Sequence, residues 1–315
     1  MIRPTRLYSW SFKRSMFKRI WLVLCTACLL YGASTSAIAQ ILLSAEHDSA
    51  TVRSFTKTLA HALPELDIRY MPRAQLTAQT QFPADTQLIL LGAELLDWRL
   101  KLTAPGPATL ILQVSRVQVY HRLANRRPSH ITFLWSDPPL QRQIALLKVM
   151  LPGLQNVGVL YGNHSTFLLA EIEHALQAEN LTMRKYYWPD SYDARSLSNL
   201  LEQTDVLLGI DDSNIYNPAT IKSILLSSYA RKQTLIGPTA AFIKAGSLAS
   251  TYSDQDDWIQ TLSSVLKTPS TSWPSSQYPD HFKVMINRQV ARSLGIQKNH
   301  ASRINQQLQQ RRNAP

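Results

Sequence analysis

From residue 41 onward the chain repeats one pattern: a short apolar run, a polar turn and an amphipathic stretch. After the first run, apolar residues from Val52 to Leu63 recur at intervals of three and four, which predicts a helix that ends at Pro64. The predicted strands are residues 41–43, 67–70, 87–91, 109–114, 131–135, 157–161, 181–188, 205–210, 234–236, 247–252 and 282–286. Because such runs are apolar on both faces and alternate with helices, they indicate parallel strands that are covered on two sides.

Capping residues mark the expected starts of several helices. Asp48 is expected to cap the first helix, and Asn217 followed by Pro218 predicts the start of a later one. Asp254, with two more aspartates in the next turn, predicts another helix start, because the positive end of the helix dipole favours anions.

The pattern restarts after Pro152 and divides the chain into two units of similar size. We expect the units to be joined near residues 136–152 and again within the Ser- and Pro-rich residues 266–281. The predicted fold class is therefore α/β, with two doubly wound parallel-sheet lobes and a hinge between them. The predicted organisation is a signal peptide at 1–39, lobe 1 at 40–136 plus part of 266–296, lobe 2 with the hinge crossings at 137–265, and a basic flexible tail at 297–315.

Residues 1–39 have the order of a secretory signal peptide: six basic residues, an apolar stretch at 20–31, and the small residues Ala37 and Ala39. The apolar stretch is shorter than the roughly 20 residues that span a bilayer, so a membrane anchor is the weaker alternative. We expect export to the periplasm with cleavage after Ala39, and either Met1 or Met16 as the start. Both cysteines fall in this segment, so the cleaved chain would have no disulfide, thiolate metal site or cysteine nucleophile.

The net charge of +12 does not predict nucleic-acid binding, because the excess of basic residues lies at the two ends. Residues 1–39 hold six basic side chains and residues 281–315 hold seven, and neither segment has an acidic one. Residues 40–280 hold 20 basic and 21 acidic side chains. A groove for phosphates needs clustered positive charge on the folded body, and none is evident.

Candidate ligand-binding residues are the polar side chains that follow the predicted strands, where loops converge outside the carboxyl ends of parallel sheets. Arg116 is placed to bind a carboxylate with two parallel hydrogen bonds, although it could equally face solvent. His164, Glu171, Glu173 and His174 are interpreted as a solvated helix face. The predicted ligand-binding set is Glu46, His47, Glu94, Ser115, Arg116, Asn163, Ser165, Asp211, Asp212, Ser213 and Thr239.

Catalytic and cofactor motifs are missing from the sequence. It contains no Gly-x-Gly-x-x-Gly, no phosphate-binding loop, no Gly-x-Ser-x-Gly elbow and no His-Glu-x-x-His. Asp211 and Asp212 resemble the paired carboxylates of Mg²⁺ sites and glycosidases, but they lack an evident partner, and capping with one ligand contact is the preferred interpretation. We therefore expect no catalytic residue, no metal and no cofactor.

Four stretches of the second half carry a resemblance to a known family. They are LPGLQNVGVLY at 151–161, GIDDSN at 209–214, IGPT at 236–239 with AGSLAS at 245–250, and VMINRQVARSLGI at 284–296. In this order they resemble the ABC-transporter substrate-binding proteins of the type I periplasmic class. The resemblance implies a two-lobed protein that binds a small solute, such as an aromatic amino acid, between its lobes.

The first half departs from that family pattern. Where the family usually has Gly-Thr-Pro after the third strand, this chain has Gly92-Ala93-Glu94, and where it has Asp-Pro after the fourth strand, Ser115-Arg116 follow. The fold carries over, whereas the identity of the ligand does not.

The resulting hypothesis is a monomeric, non-enzymatic periplasmic protein that captures a solute, such as an amino acid or organic anion, for an inner-membrane permease and ATPase. The alternative is a ligand-free or sensory interaction module of the same fold that regulates an envelope partner. A hydrolase that uses Asp211 or Asp212 is the third and weakest interpretation, because no nucleophile, base and oxyanion set is complete.

Overall fold

The computed structural model describes residues 40–102, 106–123, 126, 128–188, 194–296 and 300–313. The predicted signal peptide, both candidate start sites and the expected cleavage after Ala39 lie outside the described residues. Within those residues, no helix is both long and apolar enough to cross a bilayer.

The strands of the described chain form two six-stranded sheets. In chain order they are β1 (Gln40–Ala45), β2 (Asp67–Tyr70), β3 (Gln87–Leu91), β4 (Ala108–Val114), β5 (Ile131–Trp135), β6 (Asn156–Tyr161), β7 (Thr182–Tyr187), β8 (Val206–Leu208), β9 (Leu235–Ile236), β10 (Ala249–Tyr252), β11 (Ser276–Gln277) and β12 (Lys283–Ile286). The first sheet has the order β11-β5-β4-β3-β1-β2 and the second has the order β12-β10-β9-β8-β6-β7. All recorded pairings are parallel except that of β10 with β12.

Helices cover both faces of the two sheets. They are α1 (Ala50–Ala62), α2 (Arg73–Ala78), α3 (Ala93–Lys101), α4 (Arg116–Leu123), α5 (Leu140–Met150), α6 (Leu169–Ala178), α7 (Ala194–Glu202), α8 (Ile221–Ala230), α9 (Ala241–Ala245), α10 (Gln255–Leu266), α11 (Arg288–Ser293) and α12 (Ala301–Asn313), with 3₁₀ turns at Thr166–Leu168 and Ser270–Ser272. The predicted α/β class with two doubly wound sheets is confirmed.

The two faces of each strand explain why the sequence shows continuous apolar runs. On β3, Leu88 and Leu90 pack into one cluster of buried residues, while Ile89 and Leu91 pack into another on the opposite face. The second sheet repeats this division, with Val159 in one cluster and Leu160 in the other. Successive side chains of a strand point to opposite faces, so a sheet with helices on both sides needs apolar residues at every position.

Both sheets have the same internal strand order, and this order predicts where a ligand would bind. In the first sheet β1 lies between β2 and β3, and in the second β6 lies between β7 and β8. The direction of winding reverses beside β1 and beside β6, and ligands of such sheets bind at this switch point, outside the carboxyl ends of the strands. The loops that follow β1, β3, β6 and β8 are therefore the expected lining of a site.

The chain passes between the sheets three times within the described residues. We call the first sheet with its helices lobe 1 and the second sheet with its helices lobe 2. The passages lie between β5 and α5, between β10 and α10, and between β11 and β12. Gln143 on α5 is buried beside the second passage, where its side chain bonds to Ser250 and Thr251.

Two elements lie in a different lobe from the one that the predicted boundaries give them. Helix α10 was placed in lobe 2, but Ile259 and Leu262 pack into the core of lobe 1. Strand β12, in the segment partly assigned to lobe 1, pairs with β10 of lobe 2. Strand β11 also forms inside the Ser- and Pro-rich stretch that was expected to be a surface connection. Local patterns predict an element but not the sheet on which it packs.

The prediction of a flexible tail is wrong for residues 300–313. This segment forms α12, in which Ile304 and Leu308 are buried in the core of lobe 2. Arg311 pairs with Glu179 at 3.1 Å. The four-residue spacing of the two apolar side chains puts them on one face of the helix, which packs although the rest of the helix is polar.

The predicted helix starts are partly corrected. Asp254 does cap α10, in a reciprocal capping box with Asp257. Ser49 rather than Asp48 caps α1, because its side chain accepts the bond from the Val52 amide, while Asp48 pairs with Arg53. Asn217 caps a turn, and α8 begins only at Ile221.

Candidate functional site

Arg116 is the centre of the contacts between the two lobes. It is the first residue of α4 in lobe 1, directly after the end of β4. Its Nη1 and Nη2 atoms donate to Oε1 and Oε2 of Glu171 in lobe 2, at 3.0 and 2.7 Å. Nη1 also donates to the hydroxyl of Tyr278, at 3.3 Å, in the passage between β11 and β12. The side chain therefore joins both lobes and one hinge segment.

This ion pair is shielded from solvent, since the Arg116 and Glu171 side chains are 21% and 32% exposed. Burial by itself lowers the pKa of the Arg116 guanidinium. The hydrogen bonds to Glu171 and Tyr278 outweigh burial and hold that pKa above its ordinary value. Burial also raises the pKa of the Tyr278 hydroxyl to about 12, with a further rise from the nearby charge of Asp137. Both groups keep their protons at any physiological pH.

Asp137 lies in the passage that follows β5 and contacts the backbone of Arg116. Its Oδ1 accepts the Arg116 backbone N–H at 2.9 Å. Burial raises the pKa of this carboxyl to about 7, the hydrogen bond from the Arg116 amide lowers it, and the negative charge of Asp211 raises it further. Asp137 therefore changes its charge near neutral pH.

Ser115 and Asp211 make a second polar contact between the lobes. The Ser115 side chain, at the end of β4, lies near enough to the Asp211 side chain in the loop after β8 to lower the pKa of that carboxyl. Burial raises the pKa of Asp211, the nearby Ser115 hydroxyl lowers it, and the charge of Asp212 raises it again. Within the described residues, neither Asp137 nor Asp211 is in an ion pair.

Two pairs of aromatic rings, each with one ring from either lobe, accompany the polar contacts. Tyr120 on α4 lies parallel to Phe167 of lobe 2, with ring centroids 3.9 Å apart and an interplanar angle of 11°. The ring of the next residue, His121, lies against that of His164 in a tilted arrangement, with ring centroids 3.9 Å apart and an interplanar angle of 32°. His164 is in turn bonded through Nδ1 to the Asn214 side chain at 2.9 Å. One helix of lobe 1 thus contacts lobe 2 along its first two turns.

Ser165 and Asp212 shape the lobe 2 loops from within. Asp212 is buried, and its Oδ2 accepts the Ser165 hydroxyl at 2.6 Å while its Oδ1 accepts the Asn214 amide at 3.0 Å. Ser165 Oγ also accepts the Gly162 amide at 3.0 Å. These bonds connect the loop after β6 to the loop after β8, so Ser165 and Asp212 hold the loops of the site in place.

The other predicted residues of lobe 1 form a separate group. Glu46 accepts the Glu94 amide at 2.6 Å, and Glu94 pairs with Arg73. His47 is exposed. Gly92 has a φ of 108°, and a Cβ there would lie 2.2 Å from the Glu46 carboxyl carbon, so glycine is required for this approach.

The remaining predicted residues of lobe 2 make local contacts. Asn163 Oδ1 accepts the Tyr187 hydroxyl at 3.1 Å. The carbonyls of Ser213 and Thr239 accept bonds from the Asn217 side chain and the Phe242 amide. Of the predicted set, Ser115, Arg116 and Asp211 are brought together across the lobes.

Asp137 and Tyr278 are not among the residues predicted from the sequence, and the interpretation of Glu171 and His164 as part of a solvated helix face is wrong. Glu171 and His164 were interpreted as solvated, but they contact Arg116 and His121 of the other lobe. The strand-end rule could have found Asp137, two residues after β5. No local pattern marks Tyr278, because its role depends on the path of a hinge segment.

A family profile that matches more than half of the chain identifies the family to which the chain belongs. Residues 123–306 match the profile of the family described as ABC transporter substrate binding protein. The chain belongs to this family. The match covers lobe 2 and the hinge passages, in line with the resemblance noted for the second half.

Solved structures extend the similarity to lobe 1. The ligand-free, open structure of a substrate-binding protein with adhesive properties from Clostridium difficile has a TM-score of 0.63 over 83% of this chain and 96% of that one, at 16% identity. The ABC domain from Streptococcus pneumoniae in complex with L-Trp and a conserved domain protein from Vibrio cholerae each have a TM-score of 0.54 over 84% of this chain and 97% of theirs, also at 16% identity. At this identity the likeness establishes the fold. No curated protein sequence matches the chain.

Proposed function

We propose that this member of the ABC substrate-binding family is a non-catalytic, exported protein that captures a small solute between its lobes and delivers it to an importer in the inner membrane. The observation that carries the proposal is the meeting of polar side chains across the lobes, where Ser115 and Arg116 of lobe 1 face Asp211 and Glu171 of lobe 2. Ser115, Arg116 and Asp211 follow strands of parallel sheets, and Glu171 lies in the first turn of the helix that comes after β6. The contacts therefore lie toward the carboxyl ends of the sheets, which is where such folds bind ligands. The expected signal peptide, periplasmic location and membrane partner belong to the same proposal.

The charges around the site favour a solute with both a positive and a negative group. Arg116 supplies two parallel N–H donors for a carboxylate, and Asp137 and Asp211 supply acceptors for an ammonium group. An amino acid has both groups at short separation. This choice also accords with the L-Trp bound by the structural neighbour from Streptococcus pneumoniae.

The proposed mechanism is a shift between open and closed lobe arrangements. A solute held by the loops of one lobe would favour closure through contacts with the other, and it can shift the equilibrium only by its difference in affinity for the two arrangements. The three passages between the lobes would serve as the hinge, with the Gln143 bonds holding the second passage beside α5.

A thermal-shift measurement on the full chain tests this proposal. The probes are amino acids, sugars, short peptides and organic anions, together with phenethylamine, L-phenylalanine and 3-phenylpropionate, which share a phenyl group and differ in charge. A solute at 100 times its Kd stabilises the protein by about 2.7 kcal/mol. We expect L-phenylalanine or another zwitterion to raise the melting temperature, and Asp211→Asn to reduce that rise more than Asp205→Asn, a change at an exposed aspartate of lobe 2. If no probe raises the melting temperature, the proposal fails.

A second candidate function is favoured by the direct contacts between the lobes. The Tyr120–Phe167 stack and the Arg116–Glu171 pair could hold the lobes together permanently, in an interaction module that regulates an envelope partner. Under this alternative no solute binds, and X-ray scattering gives the same radius of gyration with and without every probe. A probe that both binds and changes the radius of gyration would exclude the alternative.

A further inference from the structure

We infer that Glu171 is a specificity-determining residue that occupies Arg116 as a built-in carboxylate. A solute carboxylate then binds Arg116 only by displacing Glu171, and the same pair latches lobe 1 to lobe 2. The statement about solutes rests on the proposed function, while the statement about the latch does not.

The geometry of the pair supports this role. Both terminal nitrogens of Arg116 face both carboxylate oxygens of Glu171, at 3.0 and 2.7 Å. A carboxylate from a solute would use the same parallel pair of bonds, which is the arrangement that arginine offers to carboxylates. Glu171 and such a solute therefore compete for one set of donors.

Neighbouring side chains hold the two partners in place. Gln141 on α5 donates to Glu171 Oε1 at 3.4 Å, and Tyr278 accepts from Arg116 at 3.3 Å. Glu171 also lies in the first turn of α6, where the helix dipole stabilises a negative charge. The contact is thus supported from lobe 2 by Gln141 and from the hinge by Tyr278.

The Arg116–Glu171 pair is one of two neighbouring contacts between the lobes, and the contacting residues have the same spacing along the chain in both lobes. Arg116 and Tyr120 lie four residues apart on α4, and Phe167 and Glu171 lie four residues apart across the 3₁₀ turn and α6. Arg116 meets Glu171, Tyr120 stacks on Phe167, and the guanidinium carbon also lies 5.9 Å from the centre of the Phe167 ring. Residues four apart share one face of a helix, so each lobe presents one charged and one aromatic group in register with the other.

The expected size of the competition follows from the fraction of molecules in which Arg116 is free. If the pair is formed in about nine molecules of ten, the apparent affinity for a carboxylate is about tenfold weaker than the intrinsic one. Removal of the Glu171 charge should therefore strengthen the binding of ligands that have a carboxylate by this factor, and it should not change the binding of other ligands.

The first test compares Glu171→Gln with Glu173→Gln in the full chain. Both variants lose one negative charge from α6, but Glu173 is exposed. Isothermal titration with 3-phenylpropionate and L-phenylalanine should give about tenfold tighter binding to Glu171→Gln than to the wild type or Glu173→Gln. Phenethylamine, which has no carboxylate, should gain no affinity. Equal carboxylate affinities in Glu171→Gln and the wild type would overturn the inference.

The second test follows the latch by small-angle X-ray scattering of the full chain without added solute. Glu171→Gln and Arg116→Glu should have a larger radius of gyration than the wild type and Glu173→Gln. The double variant Arg116→Glu/Glu171→Arg should regain the wild-type value, because the pair is restored with its charges exchanged. An unchanged radius in both single variants would refute the latch.

The two tests separate this inference from the proposed function. Larger radii in the single variants without binding of any probe would support the latch and reject solute capture. Probe binding with no difference between Glu171→Gln and Glu173→Gln would support solute capture and reject the role of Glu171.

Discussion

Asp137 provides a stability prediction with a defined sign. In the folded protein, burial raises the pKa of this carboxyl from 3.8 to about 7, and the charge of Asp211 adds to the rise. Between these two values the native state binds more protons than the unfolded state. Ionisation of Asp137 therefore lowers the free energy of unfolding as the pH rises from about 4 to about 7, and this group has no further effect above that range. Asp137→Asn removes the ionisation and should make the protein more stable, most of all above pH 7.

The size of the Asp137 pKa shift sets the magnitude of the expected change in the free energy of unfolding. A difference of about three pKa units corresponds to a ceiling of about 4 kcal/mol. Asp137 is only partly buried, so solvent screens its charge and we expect roughly half of that ceiling. The asparagine can still accept the Arg116 amide through Oδ1, as the aspartate does at 2.9 Å, so the substitution changes the charge without removing this bond.

Urea denaturation of the full chain at pH 5 and pH 8 measures the effect, with the midpoint compared at constant slope. The advantage of Asp137→Asn over the wild type should grow by on the order of 1 kcal/mol between pH 5 and pH 8. Asp85→Asn, at an exposed loop position, is the matched control and should give the same small difference at both values. A difference for Asp137→Asn that is independent of pH would refute the assignment of a raised pKa to this group.

Two further substitutions test the packing. Leu308→Ala should destabilise the protein by about 2–4 kcal/mol in the same denaturation assay, because this side chain is buried in the core of lobe 2, whereas the exposed Gln306→Ala should have little effect. Gly92→Ala should lower the melting temperature, since the added Cβ combines a φ of 108° with a clash against Glu46. Adding Glu46→Ala should recover only part of this loss, and full recovery would show that the backbone conformation has no cost.

The strands were predictable because their signal is local. The segments 67–70, 87–91 and 131–135 match the observed β2, β3 and β5 residue for residue. Strands β3 and β5 are buried on both faces, so nearly every position is apolar and each run stands out from its polar flanks, whereas β2 is an edge strand with one buried residue, Ile68. Capping at Asp254 was predictable for the same reason, since donor and acceptor lie three residues apart.

The weaker predictions concern segments with few apolar residues. Helix α12 has only two buried apolar side chains, at Ile304 and Leu308. The amide residues between them and the arginines on either side favour a solvated tail when the sequence is considered alone. The helix is stable in lobe 2 because those two side chains complete a core that is already formed by other elements. Tertiary packing thus outweighs a polar local composition.

The sequence by itself determined the α/β class, the alternation of strands and helices, the division into two units and the strand-end positions of Ser115, Arg116 and Asp211. These features follow from hydrophobic periodicity and from the direction of parallel strands, which act over a few residues. Only the tertiary structure decided that α10 packs on lobe 1, that Asp137 and Tyr278 join the site, and that Glu171 binds Arg116 instead of solvent. The Arg116–Glu171 bond joins residues that are 55 positions apart, on helices of separate lobes. Its formation depends on how the hinge brings the lobes together, and no local pattern encodes that arrangement.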